Sequence, residues 1–215
     1  RALADELRAA ALRVLDSGAY ILGPEVEAFE RELAAYLGAR HAVGVANGTE
    51  AITIALRALG VGPGDEVVVP SFTFWASAEA IPPTGARPVF CDIDPDTFLV
   101  TPETVKAALT PRTKAINVVH MCGAMADMDP ILALAKKYGL KVLEDACQAI
   151  GAHYHGKPLG SLGDAGTFSF DSVKTVTCGE GGAVVTPHEE VYTQAHRYSD
   201  HGHDHIGSAR SETVP

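Results

Sequence analysis

The tightest constraint in this chain is a strand with no polar face. Val67-Val68-Val69 is apolar on both sides of the pleat, and such a strand suits a sheet covered on both faces. Around it the pattern alternates. Ile52, Ala55, Leu56 and Leu59 recur at i, i+3, i+4 and i+7, the mark of a core-facing helix. Pro63-Gly64-Asp65 then turns the chain into the valine strand. Further strands are expected at 41–46, 88–93, 115–120, 141–145, 167–171 and 183–186. Amphipathic helices are expected at 2–17 and 24–38, separated by Gly18 to Gly23, and at 127–138, closed by Gly139. Thr101-Pro102-Glu103 opens another, with Thr as N-cap and Pro at the first helical position. Repeated strand–helix–strand units predict an α/β fold with a largely parallel sheet between two helical layers. In such sheets ligands bind beyond the carboxyl ends of the strands.

Composition narrows the partners. With 17 Lys+Arg against 27 Asp+Glu the formal charge is −10, which argues against nucleic acid, whose phosphates need a basic face. No apolar run approaches the ~18 residues of a membrane span. The four cysteines (Cys91, Cys122, Cys147, Cys178) form no C-x-x-C pair. They read as reduced thiols of a cytoplasmic protein.

Five segments carry candidate chemistry, each with an ordinary alternative. Asn47-Gly48-Thr49 joins a strand to a helix; its N–H groups suit a phosphate, or it is a plain turn with Thr49 as N-cap. Pro70-Ser71-Phe72-Thr73-Phe74-Trp75 follows the valine strand, and its aromatics either stack on a flat ligand or fill the core. Glu144-Asp145-Ala146-Cys147-Gln148 ends a strand. Adjacent strand residues face opposite sides, so Glu144 and Asp145 cannot both meet one ligand. Asp145 pairs with a ligand cation, or with a helix N-terminus or a lysine, because an unpaired buried carboxylate is costly. Lys174 lies between Phe168-Ser169-Phe170 and Gly179-Glu180-Gly181-Gly182; it is an imine-forming lysine or a solvated charge. His201-Gly202-His203-Asp204-His205 suggests a metal, a substrate contact or a loop. The expectation is no metal, because no second ligand cluster is evident.

Taken in order, these segments together with Leu22-Gly23-Pro24-Glu25-Val26 resemble the DegT/DnrJ/EryC1/StrS sugar aminotransferases, over residues 12 to 207. The resemblance implies the large domain of a fold type I pyridoxal 5'-phosphate enzyme, with a mostly parallel seven-stranded sheet. Residues 1–215 would be that domain plus an N-terminal helical segment. The likeness stops at residues 208–215, where family chains continue into a small domain, so the chain reads as truncated. It further implies a homodimer, glutamate as amino donor and a keto or aldehydo sugar as acceptor. Stretches 119–123, 145–151, 170–182 and 199–207 are similar to the family's 8-amino-3,8-dideoxy-manno-octulosonate transaminase branch, which implies a lipopolysaccharide sugar aminated at C8.

Residue by residue, the resemblance makes Lys174 both covalent anchor and proton shuttle. Asp145 would face the pyridinium nitrogen, Phe74 the ring face and Gln148 the ring hydroxyl. Gly48, Thr49 and Ser169 would hold the phosphate, and His120 and His203 would meet the substrate. A dehydratase branch has histidine at the lysine position, and Lys174 argues against it. A cofactor-binding sensor or inactive fragment is the non-enzymatic alternative. A dinucleotide-binding domain is disfavoured, since no G-x-G-x-x-G follows the first strand.

Overall fold

In the computed structural model, which describes residues 3–203, the helices are α1 (Ala4–Ser17), α2 (Pro24–Leu37), α3 (Gly48–Ala58), α4 (Ala76–Glu79), α5 (Pro102–Ala108), α6 (Met128–Tyr138) and α7 (Glu189–Ser199). The strands are β1 (His41–Val45), β2 (Glu66–Pro70), β3 (Arg87–Cys91), β4 (Thr113–Val119), β5 (Lys141–Asp145), β6 (His153–Tyr154), β7 (Lys157–Pro158), β8 (Ala165–Ser169) and β9 (Gly182–Thr186). Seven of them form one sheet in the order β1-β9-β8-β5-β4-β2-β3. The β2–β3, β2–β4, β4–β5 and β5–β8 pairs are parallel, and β9 runs antiparallel to both β8 and β1. Strands β1, β2, β4, β5 and β8 therefore all end at the same edge. The pair β6–β7 stands apart as a hairpin.

The valine strand is covered on both sides, as its sequence requires. Val67 and Val69 pack with Ile52, Ala55, Leu56 and Leu59 of the α3 segment and with Val191 and Ala195 of α7. Val68 faces the other way, into a core shared with Leu33 and Leu37 of α2, Val105 of α5 and Met128, Ile131 and Ala135 of α6. Burying each such side chain contributes roughly 1.5–3 kcal/mol, so the two cores hold the sheet between its helical layers. Helix α1 buries no residue, and Leu7 and Leu15 are mostly exposed. Arg13 of α1 links to Glu25 of α2 at 2.9 Å.

Local signals account for most boundaries. Thr101 caps α5 through a capping box with Thr104, and Gly139 ends α6 in the left-handed region. The strand expected at 167–171 instead runs Ala165–Ser169. Gly166 lies inside it, at a position where only glycine fits, since a Cβ there would sit 1.9 Å from the Gly160 carbonyl oxygen. The β6–β7 hairpin was not anticipated; its turn holds His155 and Gly156 at φ 48° and 78°.

At the sheet edge away from the strand ends, a buried carboxylate clamps adjacent strands. Glu66 is 1% exposed and accepts hydrogen bonds from Arg87, Thr110 and Arg112. Arg87, Thr110 and Arg112, in that order, hold its carboxyl down to about 2 from the usual 4.5, against a smaller opposing effect of desolvation. A lowered folded-state pKa stabilises the fold above the unfolded value and is lost as pH falls toward the folded one. The thermal midpoint should therefore fall between pH 4.5 and about 2, and Glu66→Gln should flatten that part of the curve. A Gln variant as acid-sensitive as the wild type in calorimetry would remove Glu66 from the account.

Candidate active site

A cleft of about 650 Å³ opens at the edge where the parallel strands end. Its floor is Asp145, the last residue of β5 and 5% exposed. Ser77 Oγ donates to Asp145 Oδ2 at 2.6 Å, and the Cys147 N–H donates to Oδ1 at 3.2 Å. Neither of the two expected protein partners, a helix N-terminus or a lysine, is what holds this carboxylate. Glu144 points to the opposite side, as strand alternation demands. It is fully buried and accepts from Gly160 N–H (2.9 Å), Leu162 N–H (2.6 Å), Gly163 N–H (2.7 Å) and His120 Nε2 (2.9 Å).

One wall of the cleft is the first turn of α3. Asn47, not Thr49, is the N-cap; its side chain accepts from the Glu50 N–H at 2.9 Å. The Gly48 and Thr49 N–H groups of that turn have no intrahelical acceptor and line the cleft with the Ser169 side chain. Both glycines here are required by close approach. A Cβ at Gly48 would meet Ser169 Cβ at 2.8 Å, and one at Gly182 would meet the Asn47 carbonyl oxygen at 2.3 Å. The helix start thus packs backbone to backbone on β9 and against the Ser169 side chain of β8.

The remaining walls carry Phe74, Gln148 and Lys174. Phe74 is 63% exposed on the cleft, so it does not fill the core; Trp75 lies outside the lining. Gln148 Oε1 accepts from the Cys122 N–H at 2.8 Å, which leaves its amide NH₂ as a donor. Cys122 adopts φ 54° and Gly123 φ 80° to make that tight turn. Lys174 is half-buried, and its charge reaches both Asp171 and Cys147. The Asp171 carboxyl is held low, first by the Ser172 hydroxyl and then by the Val173 N–H, with Lys174 adding a smaller pull.

Two expected substrate contacts are not on the cleft. His120 is fully buried; its Nδ1 accepts from the Ala126 N–H at 3.4 Å while Nε2 faces Glu144, so both ring nitrogens are used inside the core. This corrects the expectation, implied by the resemblance, that His120 would meet the substrate: the core claims both its ring nitrogens. His203 is exposed beyond α7 and does not line the cleft. Asp204 and His205 lie outside the described residues. Among the described residues no cluster of His, Cys, Asp or Glu could hold a metal ion.

The donor set fits pyridoxal phosphate. Free N–H groups and a hydroxyl at a helix start suit a phosphate. A buried carboxylate with lone pairs toward the cleft suits a protonated ring nitrogen. An exposed aromatic suits a ring face, and an amine suits an aldehyde. Residues 2–213 match the model of the DegT/DnrJ/EryC1/StrS aminotransferase family. The chain belongs to that family. Its α/β fold with a mostly parallel sheet is accordingly that of the fold type I enzymes. It is 49% identical over 203 residues to a pleiotropic regulatory protein of Geobacillus stearothermophilus, covering 92% of this chain and 55% of that one. It is 47% identical over 212 residues to UDP-N-acetyl-3-dehydro-alpha-D-glucosamine 3-aminotransferase of Acidithiobacillus ferrooxidans, covering 95% and 58%. The crystal structure of NtdA from Bacillus subtilis with bound cofactor PMP superposes with a TM-score of 0.89 at 37% identity, covering 99% of this chain and 48% of that one. The chain thus spans about half the length of the relatives it matches.

Ser77, Thr73 and Cys147 went unread as site residues. The Cys147 N–H bond to Asp145 is an i+2 Asx-type contact, a signal present in any Asp-x-x run. Ser77 is placed by the tertiary fold, 68 residues from Asp145. All four cysteines are free thiols. Burial pushes the Cys91 thiol up to about 11. Burial first, and then the Asp145 charge, push the Cys147 thiol well above its ordinary value. Since the thiolate is the reactive form, mild alkylation at pH 8 should label exposed Cys122 and Cys178 well before Cys91 and Cys147. Peptide mass spectrometry would expose the opposite order. Gly48→Ala should cost about 1–3 kcal/mol through overpacking against β8, seen as a lower denaturant midpoint.

Proposed function

We propose that the protein is a pyridoxal-phosphate-dependent aminotransferase that moves an amino group from glutamate to the carbonyl of a sugar. The observation that carries this reading is the meeting of half-buried Lys174 and buried Asp145 in one cleft with the free α3 turn. When bound, the cofactor supplies an aldehyde for amine exchange and an electron sink. The chain's residues do the rest. Lys174 Nζ would hold the cofactor covalently and, once freed by the donor amine, would carry the proton at the substrate carbon bearing nitrogen. Asp145 keeps the ring nitrogen protonated. Phe74 covers one ring face and excludes water there. Gln148 donates its amide to the ring hydroxyl, and Gly48, Thr49 and Ser169 hold the phosphate.

For the acceptor we put first the C8 carbonyl of a 3,8-dideoxy-octulosonate destined for lipopolysaccharide. Its support is the likeness of stretches 119–123, 145–151, 170–182 and 199–207 to that branch. A nucleotide sugar is the second reading, favoured by the 47% identical relative named for a UDP-sugar. The working unit in this reading is a cytoplasmic homodimer completed by a small domain. Four free thiols support the compartment, and no helix among the described residues is long and apolar enough to cross a membrane.

Lys174→Ala should abolish the borohydride-reducible link to the cofactor and stop amino transfer, with the circular dichroism spectrum unchanged. Covalent labelling retained in the variant would move the attachment elsewhere. Rates with glutamate and each class of acceptor decide the sugar.

A further inference from the structure

Asp145 is the floor of the cleft, and a hydroxyl relay sits behind it. Ser77 is 1% exposed and donates to Asp145 Oδ2 at 2.6 Å. A hydroxyl has one hydrogen to give, so with that of Ser77 on Asp145 its second contact, to Thr73 Oγ1 at 2.8 Å, is completed by the Thr73 O–H. The order is therefore Thr73 to Ser77 to Asp145. The relay is anchored from below. Asn117, fully buried on β4, donates Nδ2 to the Ser77 carbonyl at 3.1 Å. That fixes α4, a single turn, against the sheet. The residues entering that turn include Phe74, which lines the cleft. One short segment thus carries a group on the ring-face wall and the hydroxyl that fixes the floor.

We infer that Ser77, backed by Thr73 and tethered by Asn117, is a positioning residue that aims the Asp145 carboxylate at the ring nitrogen of the bound cofactor. A carboxylate has two oxygens and two torsions. With Oδ1 tied to the Cys147 N–H and Oδ2 to the Ser77 hydroxyl, both torsions are fixed before any ligand arrives, and the lone pairs left over face the cleft. Charge-assisted bonds of this kind are about twice as strong as neutral ones. Without Ser77 the carboxylate keeps only its contacts with Cys147, and the angle toward a ring nitrogen is less tightly set.

This inference rests on the cofactor reading above, and the test separates the two. Pyridoxal phosphate is titrated into the apo form of the intact protein, wild type, Ser77→Ala, Asp145→Asn and the double variant, following binding by the cofactor's absorbance. Wild-type protein that takes up no cofactor overturns the functional reading itself. With uptake, Ser77→Ala should weaken the dissociation constant about three- to tenfold. The same substitution made in the Asp145→Asn background should change it less than twofold, because Ser77 acts through the carboxylate. An equal loss in both backgrounds means that Ser77 only packs the fold, and no loss in either means that Asp145 is aimed without it. Both results overturn the inference. Should Ser77→Ala fail to fold, Thr73→Val removes only the outer link. It should give a two- to threefold loss in the wild-type background and none beside Asp145→Asn, and any other pattern counts against the relay.

Discussion

The fold depends on one buried carboxylate that does no chemistry. Glu144 sits in the middle of the sheet with no exposed surface, surrounded by three backbone N–H groups and His120. Its negative charge is tolerable there only because every donor is in place; removing a partner from such a site typically costs several kcal/mol. The three N–H donors come from the loop 160–163, so satisfying Glu144 pins that loop over the sheet. The pinned Gly160 backbone in turn sets how closely β8 lies, since Gly166 of β8 is in contact with it. Strand β8 delivers Ser169 to the cleft while β5 delivers Asp145. The relative placement of Ser169 and Asp145 in the cleft therefore traces back to a neighbouring glutamate on the far side of the pleat.

This explains why His120 misleads. From the sequence alone, a histidine at the end of an apolar strand near the candidate site looks like a ligand contact. In the fold it is one of the donors that make Glu144 affordable, and its orientation follows from the Ala126 N–H that occupies Nδ1. The two-residue pattern Glu144-Asp145 was legible as two opposed roles. Which external groups would serve Glu144 was not, because loop 160–163 reaches it only after β5 and β8 have paired.

The same division runs through the rest of the chain. Elements whose periodicity is local could be read directly: the apolar valine strand, the stripe of α3, the capped start of α5 and the glycine end of α6. Features set by backbone contact between distant segments could not. Gly166 and Gly182 look like loop formers, yet each lies in a strand, where another backbone passes too close for a Cβ. Lys174, Phe74, Gln148 and the Asn47-Gly48-Thr49 turn were found through their order along the chain. The hydroxyl pair Thr73 and Ser77 carried no signal, since a buried serine in an alanine-rich turn looks like any small core residue.

The Glu66 clamp sits at the opposite end of β2 from the cleft. A five-residue strand spans roughly 13–16 Å, beyond the range at which substitutions usually couple. Thermodynamic load and chemistry are thus carried at separate ends of one strand. Loops beyond the carboxyl ends can diverge toward new ligands without eroding the clamp, and the clamp can be lost or rebuilt without touching the cleft. A lineage built on this sheet can change what its cleft binds and how much acid it survives as two unlinked traits.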